Sequence, residues 1–281
     1  MKKAYFALMA MLLMGGCSKD KVTSTTDKKI SIQTTIEEPA NMGSPSLNED
    51  GSGNFAPGDT FSLLVFAPDA SASQCNYQIG QTTLLWNDLQ LNSDAQTVTF
   101  SACYPIQALN EGKFAFDLKT AEEKDLLWAY KSGITVGTEA PITLTFKHAM
   151  HRLVVRFTED SEIAVDQIQT NCTAKSSCTV DLMTGTLDNS SSDKATFTEN
   201  GDEAVFLIVP QQPADVSLEV TAGASSKTFS LGDLASQYEE LEGGKQLTVN
   251  LTIKEGKITI DGFSIEGWGD QGTIDGGEII M

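Results

Sequence analysis

Positive charge is scarce in this sequence, and the signatures of catalysis are missing from it. Lys and Arg number 19 against 38 Asp and Glu, for a formal net charge of −19. Such a surface repels polyanions, so nucleic acid is excluded as a partner. The chain holds neither a Gly-x-Ser-x-Gly nucleophile elbow nor a His-Glu-x-x-His metalloprotease helix. Its serine-rich stretches, at 190–192 and 225–226, read as turns. The only histidines, His148 and His151, have no third ligand at metal-binding spacing. They read as core or bulge-capping residues. The oxygen-rich loop 48–54 lacks the closing Glu of a calcium loop and reads as solvated. Trp86, Trp128 and Trp268 read as partly buried packing residues, with sugar-stacking platforms of a glycan-binding protein as the alternative. The chain is therefore expected to be neither an enzyme nor a metal or cofactor protein.

Two further absences matter. The apolar run at 4–14 is too short to span a bilayer. It follows Lys2 and Lys3 and precedes Gly15, Gly16 and Cys17, the three-part pattern of a bacterial lipoprotein signal. Residues 1–16 are expected to be removed and Cys17 acylated, tethering the chain to the outer membrane. Each buried CH₂ of such acyl chains contributes about 0.8 kcal/mol. Residues 17–29 are polar and read as a lipidated, flexible tether. The second absence is of Lys or Arg anywhere between Lys29 and Lys113.

Beyond the tether the pattern is mostly period two, broken by turn residues, which predicts an all-β body. Ile30, Ile32 and Ile36 alternate with polar neighbours. Further strands are predicted at 61–66, 97–104, 142–146, 153–157, 204–209, 216–220, 246–253 and 257–265. A Thr-Ala-Glu-Glu capping box at 120–123 predicts one helical turn ahead of 125–130. Inward positions are even-numbered at 142–146 and odd-numbered at 153–157, so a bulge or turn near Ala149 must absorb one residue. The body is long for one sandwich. Two are expected in tandem, at 30–146 and 147–281. Besides Cys17 there are Cys75, Cys103, Cys172 and Cys178. Either Cys172 and Cys178 close a short disulfide, worth roughly 2 kcal/mol, or the thiols are free and buried.

Several runs in order resemble the fimbrillin-like proteins of the Bacteroidales, the subunits of type V pili. They are Gly58-Asp59, the Phe-Ser-Ala-Cys-Tyr-Pro run at 100–105, and Asp-Leu-Leu-Trp-Ala at 125–129. The Phe-Lys-His-Ala-Met-His-Arg-Leu-Val-Val-Arg-Phe run follows at 146–157, then 244–253, and Ile-Glu-Gly-Trp at 265–268. The resemblance implies two transthyretin-like β-sandwiches exported as a surface lipoprotein. It implies that a protease removes the first strand and that a neighbouring subunit's strand fills the groove. The partners would be other pilin subunits, with a host or bacterial surface receptor.

Here the candidate first strand carries Ile30, Ile32 and Ile36, whose burial would be worth roughly 5–9 kcal/mol. Family processing follows Arg or Lys after that strand, and this chain has none there. Lys28 and Lys29 are the nearby candidates, and both precede the strand. Three readings stand: an uncut anchor or terminal subunit, a protease of other specificity, or cutting at Lys29 with a different strand removed. The candidate donor is the run containing Ile258, Ile260, Phe263 and Ile265, unless it is the final strand of its own half. The competing functional class is a monomeric glycan-binding surface lipoprotein.

Overall fold

The computed structural model describes residues 28–37, 55–69, 71–157, 164–254 and 257–267. The expected signal peptide 1–16, the lipidated Cys17, most of the tether, the loop 48–54, Trp268 and the tail 269–281 lie outside them. The architecture is nearly all β, as the alternation predicts. The first half holds β1 (Lys29–Ile30), β2 (Ile32–Ile36), β3 (Thr60–Phe66), β4 (Ala72–Gln78) and β5 (Leu84–Leu85). It continues with β6 (Thr97–Tyr104), β7 (Lys113–Asp117), β8 (Leu127–Thr135) and β9 (Ile142–His148). The second half begins with β10 (His151–Phe157), β11 (Ile168–Lys175), β12 (Ser177–Asp181), β13 (Thr186–Asp188) and β14 (Lys194–Asn200). It ends with β15 (Glu203–Ile208), β16 (Ser217–Ala222), β17 (Ser225–Ser230), β18 (Lys245–Lys254) and β19 (Lys257–Gly267).

In the first half a six-stranded sheet runs β2-β9-β8-β6-β3-β4. It curls around its own core. Phe61 on β3 and Phe146 on β9 belong to strands three places apart, yet their rings meet edge to face at 5.3 Å. Phe55 packs between them, 6.0 Å from Phe61 and 4.7 Å from Phe146. In the second half, β15-β10-β18-β19 and β14-β11-β16-β17 face each other across a core that includes Leu153, Val155, Leu218, Val220, Leu247 and Val249.

The halves are not independent. β7 pairs antiparallel with β12, from Ser177 opposite Asp117 to Asp181 opposite Lys113. The three-stranded sheet β13-β12-β7 therefore takes strands from both halves. Beneath it lies a third core of Leu64, Phe66, Cys103, Phe114, Phe116, Met150, Cys178 and Val180 among others. This explains the nearly unbroken apolar run of β3. Phe61, Leu63 and Val65 face the first core while Leu64 and Phe66 face the third. A strand covered on both faces favours apolar side chains at every position. The one polar residue inside the run, Ser62, is satisfied by donating to the Gln107 carbonyl and accepting from the Gln107 amide.

The parity change near Ala149 marks a change of sheet rather than a bulge within one. β9 alternates strictly, with Ile142, Leu144, Phe146 and His148 inside. Ala149 and Met150 enter the third core, and β10 starts a different sheet. Gly243 lies so close to this crossing that a Cβ there would stand 2.4 Å from the Ala149 carbonyl oxygen. The helical turn predicted ahead of 125–130 is absent. The chain instead turns directly after β7, the Thr120 and Ala121 amides donating to the Asp117 carbonyl at 3.1 and 2.9 Å. Leu126 and Leu127 then enter the third and first cores.

Of the two alternatives for Cys172 and Cys178, the structure has the free, buried thiols. The chain changes sheets between β11 and β12, so Cys172 points into the second-half core and Cys178 into the third. Burial pushes both thiols up to about 12.

The shared sheet couples the stability of the two halves. Phe116→Ala, at a site 3% exposed, is expected to cost about 3–5 kcal/mol. Urea unfolding of this variant should lower the amide-exchange protection of β11 and β16 together with that of β3 and β6. Unchanged protection in β11 and β16 would show that the halves unfold separately.

Candidate functional site: the groove of the first strand

Residues 28–37 cross from one layer of the first half to another. Ile30 pairs with Leu84, and the Trp86 amide donates to the Lys28 carbonyl at 3.1 Å. Ser31 makes the crossing, its carbonyl accepting from the Ile142 amide at 2.8 Å. β2 then runs parallel to β9, from Ile32 opposite Ile142 to Ile36 opposite Phe146. The Glu37 amide closes the ladder on the Phe146 carbonyl at 2.7 Å. The alternation read from the sequence holds, with even-numbered residues inward.

Depth varies along the strand. Ile30 and Ile36 are buried, at 1% and 4% exposure, while Ile32 is half-buried. Burial of the three is then worth roughly 4–7 kcal/mol, a little below the value for three full isoleucines. Their neighbours in the first core include Leu84, Trp86, Leu144 and Phe146. Withdrawing the strand would expose this wall together with the polar edge of β9. Unpaired main-chain groups at such an edge invite another strand.

Lys28 and Lys29, the nearest cationic residues, are engaged. Lys28 lies 3.7 Å from Glu139 and its carbonyl is bonded to Trp86. Lys29 sits in the β1 ladder opposite Leu85. A protease needs extended, accessible chain, so cleavage here requires the start of the strand to lift first.

The candidate donor run is seated in its own half. β19 pairs antiparallel with β18 from Lys257–Lys254 to Gly267–Lys245, with a register shift between Asn250 and Leu251. Ile258 is buried in the second-half core and Ile260 packs against it. Phe263 and Ile265 lie on the strand, opposite Val249 and Leu247. The Lys227 ammonium donates to the Ile258 carbonyl at 3.1 Å. In this structure the run is the final strand of its sheet rather than a free arm.

The two histidines do separate work. His148 Nδ1 lies 2.9 Å from Asp125 Oδ1, holding the loop before β8 against the end of β9. His151 Nδ1 lies 2.8 Å from the Glu242 carbonyl, which assigns the proton to Nδ1. Desolvation lowers the His151 pKa from 6.5 to about 4, against a smaller raising effect of that hydrogen bond. The imidazole is therefore neutral when folded.

The family model described as fimbrillin-like matches residues 49–268. The chain belongs to the fimbrillin-like family. No curated protein sequence matches it significantly. Among solved structures, a candidate cell adhesion protein from Bacteroides uniformis ATCC 8492 aligns with a TM-score of 0.63 and 15% identity, covering 85% of this chain and 99% of that one. A second, from Bacteroides ovatus ATCC 8483, gives 0.55 at 20% identity, covering 86% and 98%. A third, from Bacteroides thetaiotaomicron VPI-5482, gives 0.54 at 17% identity, covering 90% and 100%. At these identities the three show a shared fold.

Two measurements test the groove and its surroundings. Ile30→Ala and Ile36→Ala should each cost about 2–4 kcal/mol in chemical denaturation, and Ile32→Ala distinctly less. Between pH 6.5 and 4 the unfolded His151 binds a proton that the folded one does not, so acid in that window should favour unfolding. His151→Gln should flatten the fall in stability between pH 6.5 and 4.

Proposed function

We propose that this chain is a structural subunit of a cell-surface fimbria, held at the outer membrane through Cys17 and used in adhesion. The carrying observation is the first strand. It is a short edge segment whose inward isoleucines cap the first core and whose main chain completes the β9 ladder. A segment with those two properties can be replaced by another chain carrying the same alternation, which is strand addition at a sheet edge. The family match over 49–268 supports the pilin reading.

Within the fimbria, the terminal or anchor position fits best. No Lys or Arg lies between Lys29 and Lys113, so a trypsin-like protease finds no site after the first strand. The groove then stays filled by its own Ile30 and Ile36, and this subunit accepts no neighbour's strand there. What it offers a neighbour would come from β19 or the residues after it. Releasing β19 would forfeit its ladder with β18 and the burial of Ile258. A neighbouring groove has to compensate both.

Mass spectrometry of the protein from the cell surface should find an acylated Cys17 start with residues 28–37 retained. A start beyond Ile36 would assign it to the processed shaft instead. A variant lacking residues 28–37 should be poorly soluble alone and recover on adding a peptide of that sequence. The same peptide with Ile36→Asp should fail to rescue it.

A further inference from the structure

β8 and β9 are neighbours in the large sheet, but they are paired only at Leu127–His148 and Trp128–Lys147. Beyond those two pairs β8 stays with β6 and β9 with β2. The facing edges of β8 and β9 carry no ladder there. Above this open seam lies a groove of about 470 Å³, within the range of small-ligand sites. Trp128 and Tyr130 line one side, Thr143, Thr145 and Lys147 the other, with Lys131, Thr184 and Gly185 completing it.

The aromatic wall is braced from the second half of the chain. Gly185, at φ +67°, lies against the indole so closely that a Cβ would stand 2.8 Å from Trp128 Cζ3. Only glycine suits both that approach and that backbone angle. Tyr130 packs on Phe66 at 6.4 Å between ring centroids. It nevertheless remains 44% exposed, and Ile106 is the other large apolar residue so exposed among those described. A braced indole beside an open phenol presents a flat aromatic surface to the groove.

The charge of the groove runs against that of the molecule. In a chain of net −19, its charged lining residues are two lysines and no carboxylate. Lys147 pairs with Glu37 at 3.2 Å, both more than half exposed, and no carboxylate among the described residues pairs with Lys131. Other grooves are acidic, one through Asp117, Glu122 and Glu123, another through Glu111. Thr143, Thr145 and Thr184 add hydroxyls, and Thr35 extends the row by donating to Thr145 Oγ1 at 3.2 Å.

We propose that this groove binds a carboxylated saccharide, such as a uronate-containing oligosaccharide. The apolar face of one sugar ring lies on Trp128 and Tyr130, as carbon-bound hydrogens favour the negative face of an aromatic ring. Lys131 and Lys147 take the carboxylate, and the threonines and open strand edges bond the hydroxyls. The seam is closed at one end, where β8 and β9 rejoin at Trp128 and Lys147. A compact ring fits such a blind slot better than an extended peptide. No residue of the groove lining lies in 28–37, although Thr35 and Glu37 of that segment bond to its Thr145 and Lys147.

Calorimetric titration of the purified full chain with trigalacturonate, and with neutral galactotriose as the comparison, tests it. Trigalacturonate should bind more tightly and weaken as salt is raised. Tyr130→Ala should weaken binding about tenfold, or about 1.4 kcal/mol, while the melting transition stays cooperative. The double variant Lys131→Gln, Lys147→Gln should abolish discrimination between the acidic and neutral sugars. Equal binding of both by the parent, binding unaffected by Tyr130→Ala, or no binding of either would each overturn the proposal. So would displacement of the sugar by an extended peptide of alternating apolar residues. Polymer formation should be the same in all these variants, which separates failure here from failure of the pilin reading.

Discussion

A sheet edge that has to be covered governs the first half of this molecule. The curled sheet brings Phe61 and Phe146 into contact, and something must seal the core where β9 would otherwise be outermost. Residues 28–37 do so in one continuous segment, pairing with β5 on one side of Ser31 and with β9 on the other. Burial and main-chain bonding are both supplied by a piece of chain with few attachments elsewhere. That combination makes the edge stable when covered and adhesive when bare. The strand-exchange function proposed above rests on this combination.

The second half contributes more than its own sandwich. Its β12–β13 hairpin reaches across to β7, sets Val180 and Cys178 over Phe114 and Phe116, and lays Gly185 against Trp128. One excursion of the chain thus closes the third core and shapes the aromatic groove. Gly243 does a smaller job of the same kind, leaving room for the crossing at Ala149. Both depend on contacts between segments far apart in sequence.

This separation decides what the sequence could reveal. The inward face of β9 was legible because alternation over Ile142, Leu144 and Phe146 is local and one-sided. The inward isoleucines of the first strand were legible for the same reason, although the partial exposure of Ile32 was not. The parity change at Ala149 was visible, but its meaning was not, because a bulge and a change of sheet shift the count alike. The capping box at 120–123 misled because it is a local signal, and Thr120 and Ala121 are taken up by the turn that Asp117 closes at the end of β7. The short cysteine spacing left bridge and free thiols open, since closeness in sequence says nothing of which core each side chain enters. The pairing of β7 with β12 had no local signature, and without it the groove beside Trp128 could not be read.

The unlinked cysteines carry a consequence of their own. With Cys103, Cys172 and Cys178 raised to about 12 by burial, thiolate at neutral pH is on the order of one part in 10⁵. Only the thiolate attacks another sulfur or an oxidant, so these positions are close to inert. These three thiols therefore keep the same covalent state whether the surroundings are aerated or free of oxygen, which leaves the half-buried Cys75 as the most accessible thiol of the described body.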